Sequence, residues 1–186
     1  MDYLYMDTSA ILHAYRAGGI DLLDKYARLA KAKGLKLAIT DVVWDEIFVG
    51  WHKRGPPPKV RLSPKRAALK KWLAANAIEL ATQERGLIED LRAGRLAKYA
   101  WKDCGERSIA EHLLSKSEPH KSAVLSDDIK FRSNFAKLVE RRIPKVIAEK
   151  ILFTNPDLLV SACKERIIHI QQYEKFVHAF LSLIHI

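Results

Sequence analysis

Four places in this chain set a carboxylate where carboxylates often do chemistry. The first is Tyr3-Leu4-Tyr5-Met6-Asp7-Thr8-Ser9-Ala10, a short apolar run that ends in an acid and then turns polar. Tyr3 to Met6 read as a buried strand with Asp7 at its carboxyl end, and Thr8 or Ser9 can cap the helix suggested by Ala10 to Tyr15. The second is Glu46. Projected at 100° per residue, it falls between Val42 and Val49 on one side and Val43 on the other, while Asp45 points away. Such an acid either reaches water at the edge of the stripe or is held inside an apolar face for a purpose. The third is Glu106, which shares a helical face with Ile109, Ala110, Leu113 and Leu114, whereas Arg107, Ser108 and Glu111 project to the other side. A carboxylate aimed at a core needs a buried cation, the helix N-terminus or a bound metal ion to compensate it. The fourth is the pair Asp127-Asp128, just past the apolar run Ala123-Val124-Leu125. Two adjacent aspartates repel each other, so they form either a solvated turn or a site that a divalent cation relieves.

These acids need elements to hold them. After the opening strand and helix, residues 20–33 repeat apolar side chains at three- and four-residue spacings up to Gly34. Leu35 to Ile39 form a second strand, and Thr40 or Asp41 starts a helix running to about Trp51. Ser63-Pro64 opens another helix, with serine as cap and proline in the first turn. Ile78 to Ala81 form a third strand, and Gln83 to Leu91 a helix ended by Gly94. Lys150 to Phe153 give a last short strand, Asn155-Pro156 opens a helix, and an amphipathic helix runs from about Gln171 to Leu183. Strands alternating with helices imply an α/β fold: a central parallel sheet of four or five strands with helices on both faces, where the four acids can converge on one edge.

Composition bounds the partners. The 186 residues are enough for one sizeable core, and we expect a single domain over 1–186. Lys and Arg number 32 against 22 Asp and Glu, a net charge of +10, which favours a polyanionic partner such as nucleic acid or an anionic membrane surface. The charge is concentrated. Lys53, Arg54, Lys59, Arg61, Lys65, Arg66, Lys70 and Lys71 follow one another with no acid between them, and Gly55-Pro56-Pro57-Pro58 keeps the first part of this stretch out of regular structure. A second basic stretch, Arg92 to Lys102, carries Tyr99 and Trp101, which could stack on bases. The two cysteines, Cys104 and Cys163, lack metal-type spacing, so neither a disulfide framework nor a zinc site is expected. Without a secretory signal or a membrane-length apolar run, the chain reads as cytoplasmic. Oxygen ligands without a His or Cys cluster suit Mg²⁺ or Mn²⁺.

On four stretches the chain resembles the PIN-domain nucleases, many of which are toxins of bacterial and archaeal toxin–antitoxin pairs. They are MDTSAIL, ITDVVWDEI, GERSIAEHL and VLSDDIKF, in that order, and FTNPDLLVSACKERII resembles the family's last strand and helices. The resemblance spans nearly the whole chain and implies a PIN-like three-layer sandwich. It implies catalytic, metal-holding acids at Asp7, Glu46, Glu106 and Asp128, with Asp127 a further candidate ligand and Ser9 an auxiliary residue. It also implies Mg²⁺- or Mn²⁺-dependent cleavage of RNA to leave a 5′-phosphate and a 3′-hydroxyl. The third acid is Glu where the family more often has Asp, which changes its reach by one methylene. The stretch 52–71 is a basic Pro-rich insertion on this reading, with Lys53, Arg54, Lys59, Arg61, Lys65 and Arg66 as nucleic-acid contacts. Residues 134–147 read as a second insertion, and 156–186 as the C-terminal helices. An antitoxin or immunity protein, or a second copy in a homodimer, would be the protein partner. The rival reading is a catalytically silent PIN-like module that binds RNA or protein. A receiver-like phosphoacceptor also gathers acids at strand ends, but here no lysine ends a following strand.

Overall fold

Short apolar runs bounded by polar caps become strands, and the periodic stretches between them become helices. The computed structural model describes residues 1–49, 63–92 and 103–184. In chain order the elements are β1 (Tyr3–Met6), α1 (Thr8–Ala32), β2 (Lys36–Thr40), α2 (Asp41–Phe48), α3 (Pro64–Asn76), β3 (Ile78–Leu80), α4 (Glu84–Arg92) and α5 (Cys104–Leu114). A 3₁₀ turn at Pro119–Lys121 leads to β4 (Ala123–Leu125), α6 (Ile129–Val139), α7 (Lys145–Ile151), β5 (Leu152–Phe153), α8 (Asn155–Lys164) and α9 (Ile170–Ile184).

The caps explain where helices begin. Asp7, Thr40, Ser63, Asp128 and Thr154 each accept a backbone N–H of the first turn, and Thr154 with Asp157 completes a reciprocal capping box. Ser63-Pro64 starts α3 as expected, with proline in the first turn where its missing N–H costs nothing. The two helical patterns expected before and after residue 19 join into α1, broken at Gly19, whose φ of 62° is readily adopted only by glycine.

The five strands are all parallel and lie in the order β3-β2-β1-β4-β5. From β1 the chain moves outward through β2 to β3, then returns past β1 to lay β4 and β5 on the other side. Right-handed crossovers in opposite directions put their helices on opposite faces. Accordingly α1 packs with α3, α8 and α9, while α5 packs with α6, and α6 with α7. This is the expected α/β sandwich of a parallel sheet between helical layers.

Between the layers Tyr5, Met6, Ile39 and Val124 are fully or nearly fully buried, with Leu22, Leu23 and Tyr26 of α1 on one side and Ile109, Leu113, Phe131 and Phe135 on the other. At about 25 cal/mol per Å² of apolar surface, each large side chain so buried contributes roughly 1.5–3 kcal/mol, offset by lost conformational entropy.

Strand order fixes where a ligand can sit. The chain reverses direction between β1 and β4, and in open α/β sheets the crevice outside the carboxyl ends of such a strand pair is the usual binding place. Asp7 ends β1 there, and Ser126, Asp127 and Asp128 end β4. The Asp7 backbone N–H donates to the Leu125 carbonyl at 2.9 Å, so pairing of the two strands continues up to the acid itself.

Three local expectations change. The last strand does not begin at Lys150, because α7 runs through Ile151 before β5 starts. The stretch 134–147, read as an insertion, gains a structure without that reading being decided: it is the second half of α6, a turn and the start of α7, and it buries Phe135, Val139 and Ile143. The outward side of α2 is covered by α4: Asp45 is buried, with Arg85 Nη2 3.7 Å away. Ser108, expected to face outward, is buried and hydrogen-bonded to Thr40 at 2.7 Å. Helical projection assigns faces correctly only when one knows which sides are covered, and both of these helices are covered on two sides.

A candidate metal-binding carboxylate site

Asp7, at 7% exposure, is held by its neighbours rather than by a cation of the protein. Its Oδ2 accepts from Ser9 Oγ at 2.7 Å, from the Ser9 backbone N–H at 3.3 Å and from Ser126 Oγ at 3.1 Å. These bonds satisfy one oxygen and leave Oδ1 toward α5, 3.9 Å from where a side chain on Gly105 would begin. Burial raises the Asp7 carboxyl above the ordinary aspartate range against the opposing pull of the Ser9, Thr8 and Ser126 donors.

Glu46 reaches the same place from α2. Its Oε2 accepts from Thr8 Oγ1 at 2.5 Å and lies 3.2 Å from the position a Cβ on Gly105 would take. A larger residue than glycine at 105 would therefore push into the space between Glu46 and Asp7, and the close approach of α5 to these acids explains the glycine. Glu106, the next residue, has a buried Oε2 with no hydrogen-bond partner among the described residues. Its carboxyl is pushed up to about 7, first by burial and then by the charges of Asp103, Asp7, Asp128 and Glu46. Asp128 is the exposed member: its Oδ1 caps α6, accepting from the Lys130 and Phe131 backbone N–H groups at 2.7 and 3.3 Å.

The structure thus sets Asp7, Glu46, Glu106 and Asp128 at the carboxyl end of the sheet, close enough for Asp7, Asp128 and Glu46 all to add to the effect of burial in pushing up the Glu106 carboxyl, with Ser9 bonded to Asp7. It gives Asp127 a different environment. One Asp127 oxygen accepts from the Asn155 backbone N–H at 2.9 Å, while the other takes Asn155 Nδ2 at 2.5 Å and pairs with His13 Nδ1 at 3.0 Å. Asp127 therefore ties the end of β4 to α1 and to the start of α8. Its own backbone N–H donates to Ser9 Oγ at 3.1 Å, which links this tie to the Asp7 hydrogen bonds.

Of the basic contacts expected from sequence, Lys65 and Arg66 lie exposed in the first turn of α3. Lys53, Arg54, Lys59 and Arg61 lie outside the described residues, as does most of the Arg92 to Lys102 stretch. Sequence reasoning passed over Thr8 as a partner of Glu46, Ser126 as a partner of Asp7, and Gly105. The signals were there: a hydroxyl on each side of the strand-end acids, and a glycine in the first turn of a helix, where it costs stability unless something approaches closely. Cys104 offers no nucleophile, because burial pushes its thiol up to about 11.

Oxygen donors alone, an orphaned buried carboxylate oxygen and a glycine cradle fit a hard divalent cation better than zinc. Each of Asp7, Glu46 and Asp128 also gives one oxygen to the protein itself. Among the described residues, no group of three or more His, Cys, Asp or Glu side chains is arranged closely enough to hold a metal ion.

The fold and site define an α/β protein with a carboxylate cluster at the switch point of a parallel sheet. Comparison with models of known families, with curated proteins and with solved structures finds no match to this chain.

Proposed function

We propose that this chain is a metal-dependent endoribonuclease of the PIN type. The observation that carries the reading is the buried Oε2 of Glu106, without a hydrogen-bond partner among the described residues, on a carboxyl raised by burial and then by the nearby charges of Asp103, Asp7, Asp128 and Glu46. Burying that much like charge costs free energy, and a bound cation is the simplest way to offset it. The four sequence motifs that resemble the family contribute these same acids.

Asp7, Glu46, Glu106 and Asp128 would hold one or two Mg²⁺ or Mn²⁺ ions. Such ions, when bound, lower the pKa of water and neutralise charge developing on a phosphodiester. The protein's own part is positional. Ser9 and Ser126 fix one Asp7 oxygen, and Thr8 fixes one Glu46 oxygen. The α6 cap fixes Asp128 in the same way. The net charge of +10 supports an RNA substrate despite the local cluster of acids. An antitoxin or immunity protein is the partner this reading calls for, and a gene encoding a small acidic protein beside this one would be its first sign.

The test is cleavage of RNA in Mg²⁺ or Mn²⁺ by the wild-type protein and by Asp7→Asn. The expected result is cutting that leaves 5′-phosphates, abolished by chelator and by the substitution. Asp7→Asn protein that cuts at the wild-type rate would overturn the assignment. The internal hydrogen bonds of the acids favour one rival, a silent module that binds RNA without cutting it. Metal-independent binding with no cleavage by pure wild-type protein would establish that rival instead.

A further inference from the structure

Besides the basic stretch before α3 expected to contact RNA, the described structure carries a cationic surface beside the acids. Helix α6 starts at its cap Asp128, one of the clustered acids, and buries Phe131, Phe135 and Val139. Turning 100° per residue, Lys130, Asn134 and Lys137 fall on one stripe within about 60° of arc, roughly opposite that buried face. Arg141, in the turn that follows α6, continues the series at the same spacing.

Lys130, Lys137 and Arg141 are exposed, and among the described residues none of them has an ion-pair partner. The stripe borders a cavity of about 270 Å³ lined by Asp103, Glu106, Arg107, Asn134, Lys137 and Leu138. Glu106 is therefore shared: it belongs to the acid cluster, and it forms a wall of the cavity that Lys137 and Asn134 line from α6. Arg107, on the same wall, is engaged by Glu84 at 3.0 Å.

We infer that the Lys130–Asn134–Lys137 face of α6 is the track along which a single-stranded RNA leaves the carboxylate crevice, with a flanking phosphate held by Lys137 beside the cavity. The inference rests on the reading of the site as an RNA nuclease and adds to it the path of the substrate. Charge complementarity selects the occupant. An RNA strand has a regular series of anionic groups, and the stripe offers unpaired cations one after another, with an amide between them able to donate to or accept from a ribose or base. A duplex would need a broad basic surface, whereas among the described residues this stripe is a narrow ridge along one helix.

The experiment compares Lys130→Gln/Lys137→Gln with a charge-matched control, Lys31→Gln/Lys36→Gln, whose lysines are exposed at the opposite edge of the sheet. Binding of a fluorescently labelled polypyrimidine RNA is followed by anisotropy in chelator, over a range of salt. If both α6 lysines touch phosphate, the slope of log affinity against log salt should flatten by about 1.4, at roughly 0.7 per phosphate on a single strand. Affinity at low salt should fall several-fold, and the control should match the wild type. All four lysines are exposed, so both variants should keep the wild-type melting temperature.

Equal losses in the two variants would mean a general charge effect, and no loss in the α6 variant would place the RNA elsewhere. Either result overturns the track while leaving the nuclease reading intact if the wild type still cleaves. A wild type that neither binds nor cuts RNA overturns both.

Discussion

Glu106 offers a test of the site that needs neither substrate nor metal. In the metal-free protein its carboxyl is pushed up to about 7 from an ordinary 4.5, chiefly by burial and then by the neighbouring acids. Between those two values the folded protein holds a proton that the unfolded chain has already lost. Stability is therefore greatest near the lower value, falls as pH rises through about 7, and stays low above it. A full conversion at about 1.36 kcal/mol per unit would give roughly 3.4 kcal/mol. Glu106 is only half-buried, and discounting for solvent screening leaves about 1–2 kcal/mol. For a chain of this size that corresponds to roughly 2–8 °C in melting temperature.

Glu106→Gln keeps the shape and removes the charge. In chelator the variant should melt higher than the wild type above pH 7 and converge with it toward pH 4.5. Burial also raises the Asp7 carboxyl, so a residual slope of the same sign should persist in the variant. Adding Mn²⁺ should raise the wild-type melting temperature at the upper end, because a ligand that binds only the folded state stabilises it by mass action, and should do so less in Glu106→Gln. Unfolding curves by circular dichroism across this pH range suffice. Wild type and variant with the same pH dependence, or a wild type that gains stability on going up in pH relative to the variant, would refute the picture of Glu106 as a strained acid in an anionic crevice.

The other acids and their supports give sharper contrasts. Asp127→Ala should act on stability, costing about 1–3 kcal/mol because it leaves the backbone N–H of buried Asn155 and one of its Nδ2 hydrogens without an acceptor, while Asp128→Asn should reduce cleavage with little change in melting temperature; parallel unfolding and cleavage measurements separate the two. Gly105→Ala puts a methyl 3.2 Å from Glu46 Oε2, so Mn²⁺ affinity measured by titration should drop while the fold survives.

How far the site could be read from residues alone depended on whether its logic was local. An apolar run followed by Asp and a hydroxyl is a local pattern, and it placed Asp7, Ser9 and Asp128 at strand ends without any knowledge of the sheet. Helix caps are local too, which is why Thr40, Ser63 and the Asn155-Pro156 start were legible. Strand order is not: nothing in the sequence says that β4 lies beside β1, yet this adjacency alone makes Asp7 and Asp128 neighbours. Asp45 and Ser108 failed for the same reason, since a projection shows the direction of a side chain but not whether another element waits there. Asp127 and Asp128 make the point most economically. They are adjacent and chemically identical, and on paper only the family resemblance favours the second. Only the arrival of Asn155 from a helix 28 residues later turns the first into a structural tie and leaves the second at the mouth of the crevice. The chain thus divides one Asp-Asp pair between tying the sheet edge together and capping α6 at the surface, and the division depends on long-range packing that no short motif contains.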